Sequence, residues 1–255
     1  MRPKGAAGGC VRNAEQWQPS KFEPHAGHWR ATRNRALVGA NSRLYVELLA
    51  QALEAAIARH ACGRLGDLGC GDVPLYGMYR QRVSEAVCVD WGQSRHRTNH
   101  IDFECDLNQP LPFDEAAFDT LILSDVLEHL CEPAALWREM ARVLRPQGRV
   151  ICSVPFFYWL HEFPHDYFRY TEFALRRFAS QSSLQVLALQ PLGGSIEVIT
   201  DLLAKHLVLL PGLGEPLALA LQALVLRWSR SCWGQRAVGK TARYIPLGYL
   251  IVAQR

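Results

Sequence analysis

The sequence predicts a doubly wound α/β domain, a mostly parallel sheet with helices on both faces. Three observations carry that prediction. Short apolar runs alternate with stretches whose apolar residues recur every three or four positions. Some of the short runs, such as Phe118–Leu123, are apolar at almost every position, as in strands covered on both faces. One strand candidate runs straight into Gly69-Cys-Gly71, and the next ends in Asp90. Strand, helix and strand in this rhythm make parallel units joined by right-handed crossovers.

Taken in order, residues 1–20 are Gly-rich and aperiodic and predict a mobile extension. Residues 1–34 read as a basic, partly disordered N-terminal extension, and 35–255 as one domain. A helix is expected over 42–62, where Leu44, Leu48, Ala52 and Ala56 recur and Leu49, Leu53 and Ile57 widen the stripe, with Gly63 ending it. Strands are expected at Arg64–Leu68, Ala86–Asp90, Ile101–Cys105 and Phe118–Leu123. A helix at Glu132–Leu144 follows, stopped by Pro146-Gln-Gly148, and then a buried strand at Arg149–Val154. Residues 155–170 are aromatic, contain two prolines and fit neither period, so they read as a functional loop. Thr171 should cap a helix to about Ser180, Leu184–Leu189 is a strand, and residues 196–232 hold two apolar helices split by Pro211 and Pro216. Tyr249–Ala253 is a final strand.

Net charge is +4 but unevenly spread, +5 over residues 1–36, −7 over 37–215 and +6 over 216–255. Basic ends suit acidic partners or a solvated surface. No dense Lys/Arg run is interleaved with aromatics, so nucleic acid is not an expected partner. None of the eight cysteines forms a C-x-x-C pair, and several fall within strand-like runs, so neither a disulfide framework nor a metal centre is expected. Without a secretory leader or a spanning apolar run, the expected location is cytoplasmic.

The strongest local signal is Asp67-Leu-Gly69-Cys-Gly71-Asp72. Glycines at a strand end let backbone pass close beneath a nucleoside, and the carboxylate can meet an ammonium group. Asp90, about twenty residues on, stands where such folds hold ribose hydroxyls, and Asp106-Leu107 could meet an adenine edge. The order DLGCG, VCVD, CDLNQPLPF, FDTLILSDVLEHL and EMARVLRPQGRVICSVPF resembles the class I S-adenosylmethionine-dependent methyltransferases, and within them the type 11 group, over roughly residues 60–190.

The resemblance implies a Rossmann-like, seven-stranded sheet whose last strand inserts antiparallel, with an N-terminal helix and a helical insert before that strand. It implies S-adenosyl-L-methionine as cofactor, with Asp67, Gly69 and Gly71 around its methionine and ribose, Asp90 on the ribose hydroxyls, Asp106 and Leu107 flanking adenine, and Ser124 near the sulfonium. Glu128 and His129 follow Ser124 on the next element. The chain departs from the family where a third glycine is usual and Val73-Pro74 stands instead, and in a connection of only about ten residues between Asp90 and Ile101.

Methyl transfer asks for alignment, and for a base only when the acceptor keeps its proton. The base candidates lie in the aromatic loop, His161, His165 and Asp166, followed by Tyr167 and Arg169. A structural role for His165-Asp166 stays open, as does a pocket-wall role for His129. Arg30 or Arg33 could pair with a cofactor carboxylate or lie on the surface. The apolar insert 196–232, trailed by Arg227, Arg230, Arg236 and Lys240, reads as a substrate-side lid or dimer face, or as a peripheral membrane contact. The expected function is methyl transfer to a small-molecule or saccharide acceptor, at oxygen. The alternatives are N- or C-methylation, or a catalytically silent adaptor acting through the insert.

Overall fold

The computed structural model describes residues 11–94 and 98–255. A short antiparallel hairpin, β1 (Phe22–His25) and β2 (His28–Ala31), precedes α1 (Arg43–His60). Then follow β3 (Arg64–Leu68), a single turn α2 (Tyr76–Tyr79), β4 (Glu85–Asp90), a two-residue β5 (Phe103–Glu104) and β6 (Phe118–Ser124). The second half holds α3 (Pro133–Val143), β7 (Leu144–Pro155), α4 (Glu172–Gln181), β8 (Gln185–Leu192), α5 (Ser195–Leu207), α6 (Gly214–Ser229), α7 (Cys232–Thr241) and β9 (Gly248–Gln254).

Seven strands form one sheet in the order β5-β4-β3-β6-β7-β9-β8. Pairings from β5 to β7 are parallel, while β9 runs antiparallel between β7 and β8. The chain starts at β3, moves outward through β4 and β5, and returns to β6 on the other side. The sheet therefore reverses direction between β3 and β6, and an open α/β sheet leaves a crevice beyond the strand ends at such a point.

Helices cover both faces because both faces are apolar. Leu49, Leu53 and Ile57 of α1 pack with Leu65, Ile122, Ile151 and Val252 on one side. Leu136, Trp137 and Met140 of α3 and Leu175 of α4 pack with Leu121, Leu123, Val150 and Ile251 on the other. Alternation along β6 and β7 feeds the two layers in turn, which is why those strands read as unbroken apolar runs. Thr171 caps α4 as its residue type predicts, its hydroxyl accepting from the Ala174 amide at 3.3 Å.

Some elements differ from the sequence expectations. Of the extension expected over 1–20, residues 1–10 lie outside the described residues, whereas Val11 and Trp17 are buried and join the α1-side core. The hairpin that follows docks on α1. It turns through Ala26 and Gly27 at φ 50° and 83°, a two-residue turn with both central residues left-handed. The expected helix stop at Pro146-Gln-Gly148 is the start of β7, which is longer than Arg149–Val154. The two helices expected over 196–232 are α5 and α6, and a third, α7, follows them where none was expected.

Candidate active site

β3 ends in a loop that doubles back against β4. Gly69 and Cys70 amides both donate to the Val89 carbonyl, at 2.8 and 3.1 Å. Gly69 has φ +71°, and a Cβ there would lie 2.6 Å from Val126, so only glycine brings this loop against the segment after β6. Val73, where a glycine is usual, also has a left-handed φ of 55°, and its carbonyl accepts from Trp17 Nε1 at 3.0 Å. The N-terminal segment thus straps the glycine loop.

Two of the three predicted strand-end carboxylates meet here. Asp67 and Asp90 end adjacent parallel strands and are both buried. Asp90 accepts from the Gly71 amide at 2.9 Å and the Trp91 amide at 2.7 Å, which ties the loop to the end of β4. Asp67 accepts from the Tyr79 hydroxyl at 3.1 Å. Asp106 follows β5 and is exposed, its Oδ1 accepting from the backbone and side-chain nitrogens of Asn108 in a tight turn. Leu107 is buried in the α3-side core. Ser124, half-buried at the end of β6, lies 3.2 Å from the Ser153 hydroxyl.

The aromatic loop after β7 closes over the same edge of the sheet. Asp166 is gripped by Arg169, whose Nη1 and Nη2 donate at 2.5 and 2.8 Å, and it accepts the His161 amide at 2.9 Å. His161 Nδ1 lies 3.3 Å from Asp166 Oδ2. His165 does not pair with Asp166. Its Nδ1 lies 3.0 Å from the Tyr167 hydroxyl and its ring stands edge-on to Trp91, the residue after Asp90, at 5.2 Å. His129 Nδ1 reaches the His165 carbonyl at 2.6 Å, so the loop is fastened to the segment after β6.

Residues 66–152 match the family described as a methyltransferase domain. This segment is a methyltransferase domain. Among curated proteins, the chain is 26% identical over 154 residues to a ubiquinone biosynthesis O-methyltransferase of Alkalilimnicola ehrlichii, covering 56% of this chain and 60% of that one. It is 30% identical over 125 residues to an uncharacterized 37.1 kDa protein in a transposon of Streptomyces fradiae, covering 45% and 35%. The chain thus spans from about a third to three fifths of the length of these relatives. A solved geranyl diphosphate methyltransferase in complex with S-adenosylmethionine has the same fold, with a TM-score of 0.53, 15% identity and coverage of 86% and 91%.

The methyltransferase domain's residues fit the family's cofactor. Burial raises the Asp67 carboxyl, Tyr79 draws it back and Asp90 raises it further, to about 7; no cation among the described residues offsets this, which suits an ammonium group. Asp90 stands at the same edge, while the charge of Asp125 is met by Lys21. Asp166 differs: burial works to raise it, but the Arg169 and His161 hydrogen bonds hold it at about 2, too weak a base to take a proton. Burial lowers His161, and neighbouring His129 adds to the effect, which favours the neutral imidazole.

Several residues of the methyltransferase domain's edge escaped sequence reasoning. Asp125 accepts from the Tyr45 hydroxyl at 2.9 Å and pairs with Lys21 at 3.2 Å, joining α1, the strap and β6. Its place directly after Ser124 was the only signal. Tyr158 packs against Tyr45 with tilted rings, centroids 4.8 Å apart, and meets the Ser42 hydroxyl at 2.7 Å. Arg30, a candidate for a cofactor carboxylate, instead forks onto Glu23 within the hairpin, at 3.0 and 2.7 Å.

Proposed function

We propose that this chain transfers the methyl group of S-adenosylmethionine to an oxygen of a small-molecule or saccharide acceptor. One observation carries the reading: the glycine loop, Asp67 and Asp90 meet at the point where the sheet reverses, inside the matched methyltransferase domain. In this reading Asp67 and the loop hold the methionine end, Asp90 the ribose, Asp106 and Leu107 the adenine, and Ser124 lies on the methionine side. When bound, the cofactor supplies an electrophilic methyl carbon, to which the acceptor oxygen bonds as the C–S bond breaks with its electron pair left on sulfur.

His165 is the proposed base. It projects beside Trp91, while Asp166 and Arg169 hold the loop that carries it. His161, against Asp166, serves to position that loop. Oxygen as the acceptor atom is supported by the name of the ubiquinone biosynthesis relative and by the histidine-bearing loop. Free thiols at all seven described cysteines support a cytoplasmic location.

Two measurements test the reading. S-adenosylmethionine and its demethylated product should both raise the melting temperature, about 2.7 kcal/mol of stabilisation at a hundred times Kd. Incubation with a cell extract and cofactor labelled in the methyl group should place label in a small-molecule fraction. Cofactor binding without any labelled fraction would favour the silent adaptor instead.

The insert adds a second reading, peripheral contact with an anionic membrane. No helix among the described residues is long and apolar enough to cross a membrane. Yet Leu203, Leu209, Leu213, Leu224 and Trp233 are half to three-quarters exposed, and the neighbouring charges are mostly basic. Flotation with vesicles containing anionic lipid should carry the chain upward. Failure to float at low salt would remove this reading.

A further inference from the structure

We propose that Glu128, His129 and His161 bind one divalent transition-metal ion of the zinc type. Glu128 follows β6 and is fully buried, and neither carboxylate oxygen has a hydrogen-bond partner. A buried carboxyl left so calls for a compensating proton or cation. Arg169 lends it some positive charge from a distance, and two imidazoles approach it directly. His129 Nε2 and His161 Nε2 each lie 3.7 Å from Glu128 Oε1, too far for a hydrogen bond.

The protonation of those rings sharpens the point. His129 Nδ1 faces the His165 carbonyl at 2.6 Å, an oxygen that can only accept, so Nδ1 carries the hydrogen. His161 Nδ1 lies 3.3 Å from the Asp166 carboxylate without a hydrogen bond to it, and that nearby negative charge favours the hydrogen on Nδ1. In the neutral rings both Nε2 atoms are therefore lone pairs, and they converge on an acceptor oxygen. Three electron-pair donors facing one another call for a proton or a metal cation between them, and a metal ion can satisfy all three at once.

The dimensions suit a metal. The three donor atoms lie within 4.8 Å of one another. Ligands held 2.0–2.1 Å from a tetrahedral zinc sit about 3.4 Å apart, close to the 3.7 Å found here. Two imidazoles and one carboxylate select a transition metal over magnesium or calcium, which prefer oxygen. Asp166 and the His165 carbonyl complete the arrangement as outer acceptors that orient the rings, a common accompaniment of histidine ligands. The imidazoles are the partly exposed side of the cluster, so a further position is left for an oxygen donor.

This inference deepens the methyl-transfer reading and rests on it for the metal's role alone. A metal there would orient an acceptor hydroxyl and ease loss of its proton. The cysteine pattern carried no hint of such a site, since its ligands come from a Glu-His pair and a histidine more than thirty residues later.

The test uses the tag-free full chain, stripped with chelator and titrated with Zn²⁺ or Co²⁺ without acceptor. One equivalent of Zn²⁺ should remain after dialysis, Co²⁺ should give the visible bands of a site with few ligands, and Zn²⁺ should raise the melting temperature. Glu128→Gln and His161→Ala, checked for folding by circular dichroism, should each weaken binding at least 100-fold. Asp166→Asn should weaken it about 10- to 100-fold. A folded parent chain that retains no metal, or a Zn²⁺ effect that persists in both ligand variants, overturns the proposal. S-adenosylmethionine binding is measured separately on the same samples. Metal retention without cofactor binding would sink the methyl-transfer reading and leave the metal site standing, and the reverse result would do the opposite.

Discussion

Asp67 and Gly69 are two residues apart and make different demands on the chain. Asp67 titrates near 7 in the folded chain against about 4 for an unperturbed side chain. A raised carboxyl stabilises the fold fully below its unfolded value, and that contribution is lost as pH rises through 7. A cofactor ammonium favours the ionised form, so binding should release a proton below pH 7 and tighten about tenfold between pH 6 and 8. Calorimetric titration across that range checks this, and Asp67→Asn should flatten the dependence. Asp90→Ala should weaken cofactor affinity about 10- to 100-fold, the 1.5–3 kcal/mol of hydrogen bonds to a charged group; unchanged affinity would remove it from the site. His165→Ala should lower turnover about 10²- to 10⁴-fold with cofactor affinity intact, and full activity would dismiss it as the base. These residues were legible because each stands at a strand end fixed by hydrophobic pattern. Glu128 was legible as a position but not as a buried carboxyl without a hydrogen bond, because burial depends on what the aromatic loop lays over it.

At the scale of elements, legibility followed periodicity. Strands β3, β4, β6 and β9 and helices α1 and α3 were readable to within a few residues, since buried runs and amphipathic stripes leave period signals in sequence. The hairpin β1–β2 was not. Pro24 interrupts its first strand, and Ala26-Gly27 is not one of the usual turn pairs. Helix α7 was missed because Gly234 and Gly239 lower its propensity, although Ser231 caps it by accepting from the Gly234 amide at 3.1 Å. The strap before the hairpin makes its own prediction. Trp17 is buried, packs edge-on against Tyr76 at 5.3 Å and donates to the Val73 carbonyl. Trp17→Ala should cost about 3–5 kcal/mol in urea unfolding. Part of that loss should appear as weaker cofactor affinity, because Val73 belongs to the glycine loop.

Across the whole molecule, the aromatic loop and the insert meet at the buried Lys205. Lys205 of α5 pairs with Asp201 one turn earlier, and its ammonium lies 4.2 Å from the Tyr158 ring centroid. Tyr158 in turn touches Tyr45 and Ser42, so insert, loop and α1 form one connected layer above the strand ends. The order of strands within the sheet has a further consequence. β8 is held in the sheet by β9 alone, and β9 is the last of the seven to be made. During synthesis, β8 and the three helices after it therefore emerge before the strand that holds β8 in the sheet, which is completed only when residues 248–254 pair with β7 on one side and β8 on the other.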